Sequence, residues 1–374
     1  MAEDLLPIDS GDATLVGRIL TEDGPTPVLV RDGQLLDLSG MAPTVSDLLE
    51  SIEPGAPLRP GKSLGAIEGA TLLSPIDLQC IKASGVTFAV SALERVIEER
   101  ARGDAAQAND IRTQIQTRIG ADLRTVKPGS AEAAKLKAVL IGDGLWSQYL
   151  EVAIGPDAEI FTKSPVLSSV GTGADVGVRA DSAWNNPEPE IVMIVDSKGR
   201  AHGATLGNDV NLRDIEGRSA LLLGKAKDNN ASCAIGPFIR LFDDRFTLDD
   251  VRSAEISLTI DGPEGYRLTG SSNMSLISRD PLDLIAQAIG RDHQFPDGFA
   301  LFLGTMFAPV EDRDTPGQGF THKIGDIVRV STPKLGTLTN RVVHCDAAPP
   351  WTFGIRALMR NLAARGLLSE SASA

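Results

Sequence analysis

Cysteine and histidine are scarce in this 374-residue chain: Cys80, Cys233 and Cys345, with His202, His293, His322 and His344. An odd cysteine count without a CxxC pair fits buried free thiols in a reducing cytoplasm. The histidines form no HxH or HExxH spacing, which speaks against zinc chemistry. His344-Cys345 reads as a strand end, because a cysteine nucleophile needs a base arranged beside it in space. No apolar run reaches the roughly 18 residues of a membrane span. The opening Met1-Ala2-Glu3-Asp4-Leu5-Leu6 is acidic and lacks the basic-then-apolar layout of a secretion signal. Positive charge is also short, with 36 Lys and Arg against 50 Asp and Glu and a formal charge of −14. That argues against nucleic acid or an anionic membrane as partner. A small anionic substrate stays open, since a bound divalent ion reverses the local field.

What remains is an ordinary globular composition, 42% hydrophobic and 23% charged, long enough for one large domain and a smaller one. Residues 1–75 read as a small β-rich N-terminal unit. Strands at 16–20 and 27–30 flank the turn Glu22-Asp23-Gly24, Asp32-Gly33 supplies a hairpin turn, and Thr44 and Asp47 form a capping pattern before a short helix. Pro54 to Pro60 is the connector. Residues 76–374 form the second unit. A strand at 76–83 leads to a helix at 90–102 with Val90, Leu93, Ile97 and Ala101 on one face; Ser91 and Glu94 share a neighbouring face. Surface helices are expected at 105–123 and 130–141, and a strand at 159–163 ends in Lys163. The small-residue loop 168–174 is a weak candidate anion cradle. Further strands fall at 191–195, 201–206, 299–303, 327–330 and 337–343, and a terminal helix at 351–365. Many strands with scattered helices and no βαβ alternation make this an α+β, β-rich chain.

The chemistry gathers around Asn186-Pro187-Glu188-Pro189-Glu190. Residues two apart in an extended segment share a face, so Glu188 and Glu190 aim two carboxylates at one place. Asp209 follows behind a second strand, and a turn back between paired strands brings it beside them. Three carboxylates at one spot repel unless a cation sits among them, and oxygen-only ligands favour Mg²⁺, Mn²⁺ or Ca²⁺ over zinc.

The order of landmarks resembles the fumarylacetoacetate hydrolase superfamily: Glu188-Pro189-Glu190, Asn208-Asp209-Val210, Lys225-Ala226-Lys227-Asp228, Gly236-Pro237, Gly304-Thr305, Gly325-Asp326 and Gly336-Thr337-Leu338-Thr339-Asn340. The likeness spans roughly residues 75–345. It departs at the family's water-activating His-x-x-Glu, where Ser91-Ala92-Leu93-Glu94 stands, so a serine replaces the histidine. Lys82-Ala83-Ser84-Gly85-Val86-Thr87-Phe88 with the stretch from Leu93 to Glu99 is similar to the subgroup of bacterial 2-keto-3-deoxy-pentonate dehydratases. The resemblance implies a β-roll of mixed sheets with a small N-terminal domain and surface helices, as a homodimer or homotetramer. It implies Mg²⁺, with Mn²⁺ as the alternative, held by Glu188, Glu190 and Asp209.

The activity implied is conversion of 2-keto-3-deoxy-D-xylonate, or its L-arabinonate counterpart, to 2-oxoglutarate semialdehyde. A chelated 2-keto acid would lose a C3 proton to give a stabilised enolate and then expel its C4 hydroxyl. In this reading Glu94 is the acid or base and Lys225 binds the substrate carboxylate or keto oxygen. Thr305 contacts the carboxylate, Ser84 and Ser91 offer hydroxyls, and Lys163 adds positive charge. The rival readings are an acylpyruvate hydrolase or oxaloacetate-type decarboxylase on the same trio, and a non-catalytic keto-acid-binding protein.

Overall fold

The computed structural model describes residues 5–108, 111 and 126–368. Its centre is the strand Pro189–Val195, every residue of which is buried. It pairs antiparallel with Ala201–Asp209 on one side and Phe299–Phe302 on the other. The run Ile191-Val192-Met193-Ile194-Val195 is β-branched or apolar throughout, as a strand covered on both faces requires. The period of two then divides it. Ile191, Met193 and Val195 enter one core with Leu206, Ile256, Leu258, Ile260 and Val330. Val192 and Ile194 enter the other, with Ile81, Phe302, Val45 and Leu48.

The large sheet runs in the order Ser63–Ala66, Gln34–Asp37, Gly24–Arg31, Leu15–Thr21, Cys233–Leu241, Ala201–Asp209, Pro189–Val195, Phe299–Phe302, Cys80–Gly85 and Glu159–Ser164, with Thr71–Leu73 paired beside Leu15–Thr21. Within it only Phe299–Phe302 and Cys80–Gly85 run parallel among the described residues. The N-terminal strands keep a small cluster of their own around Leu15, Val28, Leu35 and Phe238, and join the rest where Leu15 and Val16 pair with Arg240 and Ile239. A second sheet runs Arg267–Asn273, Glu255–Asp261, Ile327–Thr332, Gly336–His344 and Asp175–Val178, and closes over the first core. The architecture is therefore the mixed-sheet, β-rich roll expected, with helices at its surface.

Three helices matter for the site. Ala89–Arg100 packs through Leu93, Val96 and Ile97 against Tyr149, Leu150 and Ala153 of Gln148–Ile154, with Leu140 of Ala131–Gly142 in the same apolar cluster. The helix expected at 105–123 falls largely outside the described residues. The strand expected at 76–83 begins instead at Cys80. Asp77 is drawn away to accept the N–H groups of Val45 (2.7 Å) and Ser46 (3.0 Å), at the N-terminus of the Val45–Ser51 helix, where a carboxylate is favoured. The terminal helix starts at Ile355, four residues later than expected. The 168–174 loop is tied down by the Asn340 amide, which donates to the carbonyls of Gly171 (3.0 Å) and Ala174 (2.9 Å).

Candidate active site

The pairing register builds the acidic trio. Pro189 lies across from Asn208 and Glu190 across from Gly207, so the next step sets Asp209 opposite Glu188, where the Asp209 N–H donates to the Glu188 carbonyl at 3.0 Å. Glu190 is then the diagonal neighbour on the same face, within reach of both. Asn208 fixes the entry to the strand by accepting the Glu188 N–H at 3.0 Å. All three side chains are buried, and one oxygen from each lies within 4.8 Å of the others.

Cations of the chain crowd this trio. Lys227 donates to Glu188 at 2.5 Å and lies 3.3 Å from Asp209. Lys163, fully buried, sits 2.9 Å from Asp209. Arg95 pairs with Glu188, with Glu98 at 2.5 Å and with Glu216 at 2.9 Å. From the end of Phe299–Phe302, the Gly304 N–H donates to Glu190 at 2.7 Å and the Thr305 hydroxyl lies 3.3 Å from its other oxygen. Gly304 has φ +108°, and a side chain there would run into Thr87; both reasons call for glycine.

Burial raises the Glu188 carboxyl, but Lys227 and Arg95 more than offset it and hold it at about 2. Burial, then the charges of Asp209 and Glu188, push Glu190 well above the usual carboxylate range. Burial opposes the charged form of Lys227, yet Asp209 and Glu188 outweigh it and raise the ammonium above its ordinary value. Glu159 is lifted to about 7, by burial first and by the charge of Glu216 second.

Ser84, Ser91, Glu159, Lys227 and Thr305 line one cleft with Glu188 and Asp209. The structure thus brings together the trio with Ser84, Ser91, Lys163 and Thr305. Lys225 is a correction. It is exposed and pairs with Asp181 at 3.1 Å, whereas Lys227 reaches the trio. The two sit on Leu223–Lys227, and residues two apart on a helix point to nearly opposite sides. Ser91 and Arg95, four apart on one face of Ala89–Arg100, line the cleft, and Glu94 is buried on the same helix. Glu159 lines the cleft as well, on the strand that carries Lys163. Residues 159 and 163 share a face of that strand, a signal available in the sequence and attached there to Lys163 alone. Arg95 and Glu216 carried no comparable signal.

Oxygen-only donors, buried and short of one positive charge at Glu190, fit a hard divalent ion. Comparison with known proteins agrees with the fold. The chain is 32% identical over 205 residues to a protein named 2-dehydro-3-deoxy-D-arabinonate dehydratase from Saccharolobus solfataricus, covering 55% of this chain and 64% of that one. It is 31% identical over 194 residues to a probable 2-keto-3-deoxyxylonate dehydratase from Haloferax volcanii, covering 52% and 63%. The chain therefore spans just under two-thirds of the length of these relatives. A solved structure of a 2-keto-3-deoxy-D-arabinonate dehydratase complexed with magnesium and 2,5-dioxopentanoate superposes with a TM-score of 0.61 at 23% identity, over 88% of this chain and 99% of that one. A fumarylacetoacetate hydrolase from Exiguobacterium antarcticum superposes with a TM-score of 0.59 at 15% identity, over 89% and 100%. The family model for the fumarylacetoacetate hydrolase C-terminal region matches residues 147–343, more than half of the 374. That stretch contains the trio, Lys163, Lys227 and Thr305, and the chain belongs to the fumarylacetoacetate hydrolase family.

Proposed function

We propose that this chain is a Mg²⁺-dependent hydro-lyase that dehydrates a 2-keto-3-deoxy-pentonate to 2-oxoglutarate semialdehyde. The observation that carries the reading is the buried trio, two of whose members, Glu188 and Asp209, line one cleft with a lysine, a glutamate and hydroxyls. The names of the two relatives support the substrate class. Glu188, Glu190 and Asp209 would hold the ion, which when bound supplies Lewis-acid stabilisation of negative charge on the 2-keto oxygen. Lys227 sets its ammonium beside the substrate's carboxylate and keto oxygen. Thr305 donates a hydroxyl to the carboxylate, and Ser84 and Ser91 orient the C4 and C5 hydroxyls. Lys163 holds Asp209 in place.

Glu159 takes over the role expected of Glu94. Its carboxylate removes a proton from C3. As the C3=C4 double bond forms and the C4–O bond breaks, the same carboxyl returns the proton to the leaving hydroxyl, which departs as water. Proton shifts from C5 then leave the aldehyde. The missing lid histidine fits this division of labour, because an elimination needs no activated water.

The test is incubation of the chain with Mg²⁺ and each 2-keto-3-deoxy-pentonate, with the aldehyde trapped and identified. Semialdehyde formation is expected. Turnover of acetylpyruvate without any aldehyde from the pentonates would contradict the proposal and favour a hydrolase on the same trio.

A further inference from the structure

The oxygens of the trio narrow the choice of ion. Arg95 donates to Glu188 Oε1, and Lys227 to its Oε2 at 2.5 Å. The Gly304 N–H holds Glu190 Oε2 at 2.7 Å, and Thr305 lies 3.3 Å from Oε1. Lys163 stands 2.9 Å from Asp209 Oδ1, and Lys227 3.3 Å from Oδ2. Each oxygen of the three carboxylates therefore has a donor nearby, and Lys227, whose ammonium is shared between Glu188 and Asp209 alone among the described residues, is the one a bound ion would displace, opening Glu188 Oε2 and Asp209 Oδ2.

The donors are themselves held. The buried Lys163 ammonium also donates to the carbonyls of Lys227 and, at 3.4 Å, Val210. Arg95 is pinned by Glu98 and Glu216, and Gly304 acts through the main chain. A carboxylate fixed in this way cannot turn both oxygens to one ion without parting a buried ion pair with Arg95 or Lys163. Ca²⁺ takes about six to eight oxygens in loose geometry, often with both oxygens of a carboxylate. Mg²⁺ takes about six at shorter distance, keeps several waters, and needs only single oxygens from its carboxylates.

We infer that Lys163 and Arg95 are selectivity-determining residues, which restrict Asp209 and Glu188 to one oxygen each and so make the site prefer a Mg²⁺-sized ion over Ca²⁺. The inference rests on the metal reading proposed above. It gives two side chains outside the ligand set a role in choosing the ion.

The test is calorimetric titration of MgCl₂ and of CaCl₂, separately and without substrate, into the chelator-stripped full chain. Wild type, Lys163→Met and Arg95→Met are compared, with circular dichroism to confirm folding. Wild type should bind Mg²⁺ on the order of tenfold more tightly than Ca²⁺. Removing a positive charge strengthens binding of both ions, so the ratio reads the restriction and neither affinity does so alone. Each variant should narrow the Mg²⁺/Ca²⁺ ratio about fivefold. Should Lys163→Met fail to fold, Arg95→Met and the wild-type ratio still decide. A wild type that prefers Ca²⁺, or a folded variant with the wild-type ratio, overturns the inference while the metal reading stands. A wild type that binds neither ion overturns both.

Discussion

Replacing Gly85 by alanine tests the role of Glu159 without touching its chemistry. A methyl group at Gly85 would overlap the Glu159 carboxylate, whose Cδ lies 2.6 Å from the position the new carbon would take. Gly85 does not adopt a positive φ, so the substitution adds no backbone strain and the crowding falls on one side chain. The nearest oxygen, Oε2, lies 1.9 Å away, so to regain ordinary contact the carboxylate must retreat by roughly 1.5 Å or more. A misplacement of that size costs about 10²-fold in rate, within the roughly 10²–10⁴ that a positioned acid or base contributes. Overpacking costs about 1–3 kcal/mol, and the flexible end of Glu159 keeps Gly85→Ala near the lower figure, a fall in Tm of about 2–4 °C. The assay is kcat and KM for aldehyde formation, with Mg²⁺ titration and thermal melts beside them. Gly85→Ala should lose kcat with Mg²⁺ affinity nearly unchanged, and the double variant with Glu159→Gln should be no worse than Glu159→Gln alone. A Gly85→Ala enzyme with wild-type kcat would refute the reasoning.

Lys227→Met should lower kcat/KM by about 10²–10³, while Lys225→Met, which loses only the Asp181 pair, should stay within about twofold; equal losses would return the role to either lysine. A base must be ionised, and burial and Glu216 lift Glu159 to about 7. kcat/KM should therefore rise with pH to a plateau, the divalent ion drawing the limb lower; a limb that persists unchanged in Glu159→Gln contradicts the assignment. Glu94→Gln should leave most activity, and a loss equal to that of Glu159→Gln would restore Glu94 to the chemistry. Ile194→Ala should cost about 2–5 kcal/mol in denaturant unfolding, because Ile194 is fully buried on the covered face of the central strand; a cost below about 1 kcal/mol would contradict that packing.

The central strand and its carboxylates are legible in the sequence because both depend on short-range periodicity. Glu188 and Glu190 are two apart on an extended run, and Asp209 follows a single reversal of the chain. Lys163 and Thr305 are legible as ends of strands. Lys225 misleads because a five-residue helix, Leu223–Lys227, is too short for its phase to show in the sequence. Arg95 is missed because the burial of Ala89–Arg100 against Gln148–Ile154, a long-range contact, sets which residues of that helix meet the cleft beside Ser91. Glu159 is legible through its spacing from Lys163, whereas Glu216 reaches the site only by long-range packing. The pairing of Leu15–Thr21 with Cys233–Leu241, which joins the N-terminal strands to the large sheet, is non-local in the same way.

The most direct test of the account is titration of Mg²⁺ into the chelator-stripped chain, wild type against Glu190→Gln. Wild type should take up one ion per chain, and Glu190→Gln should bind it about 10²-fold more weakly or not at all. Equal binding by the two would contradict the claim that these carboxylates hold the ion on which the proposed reaction depends.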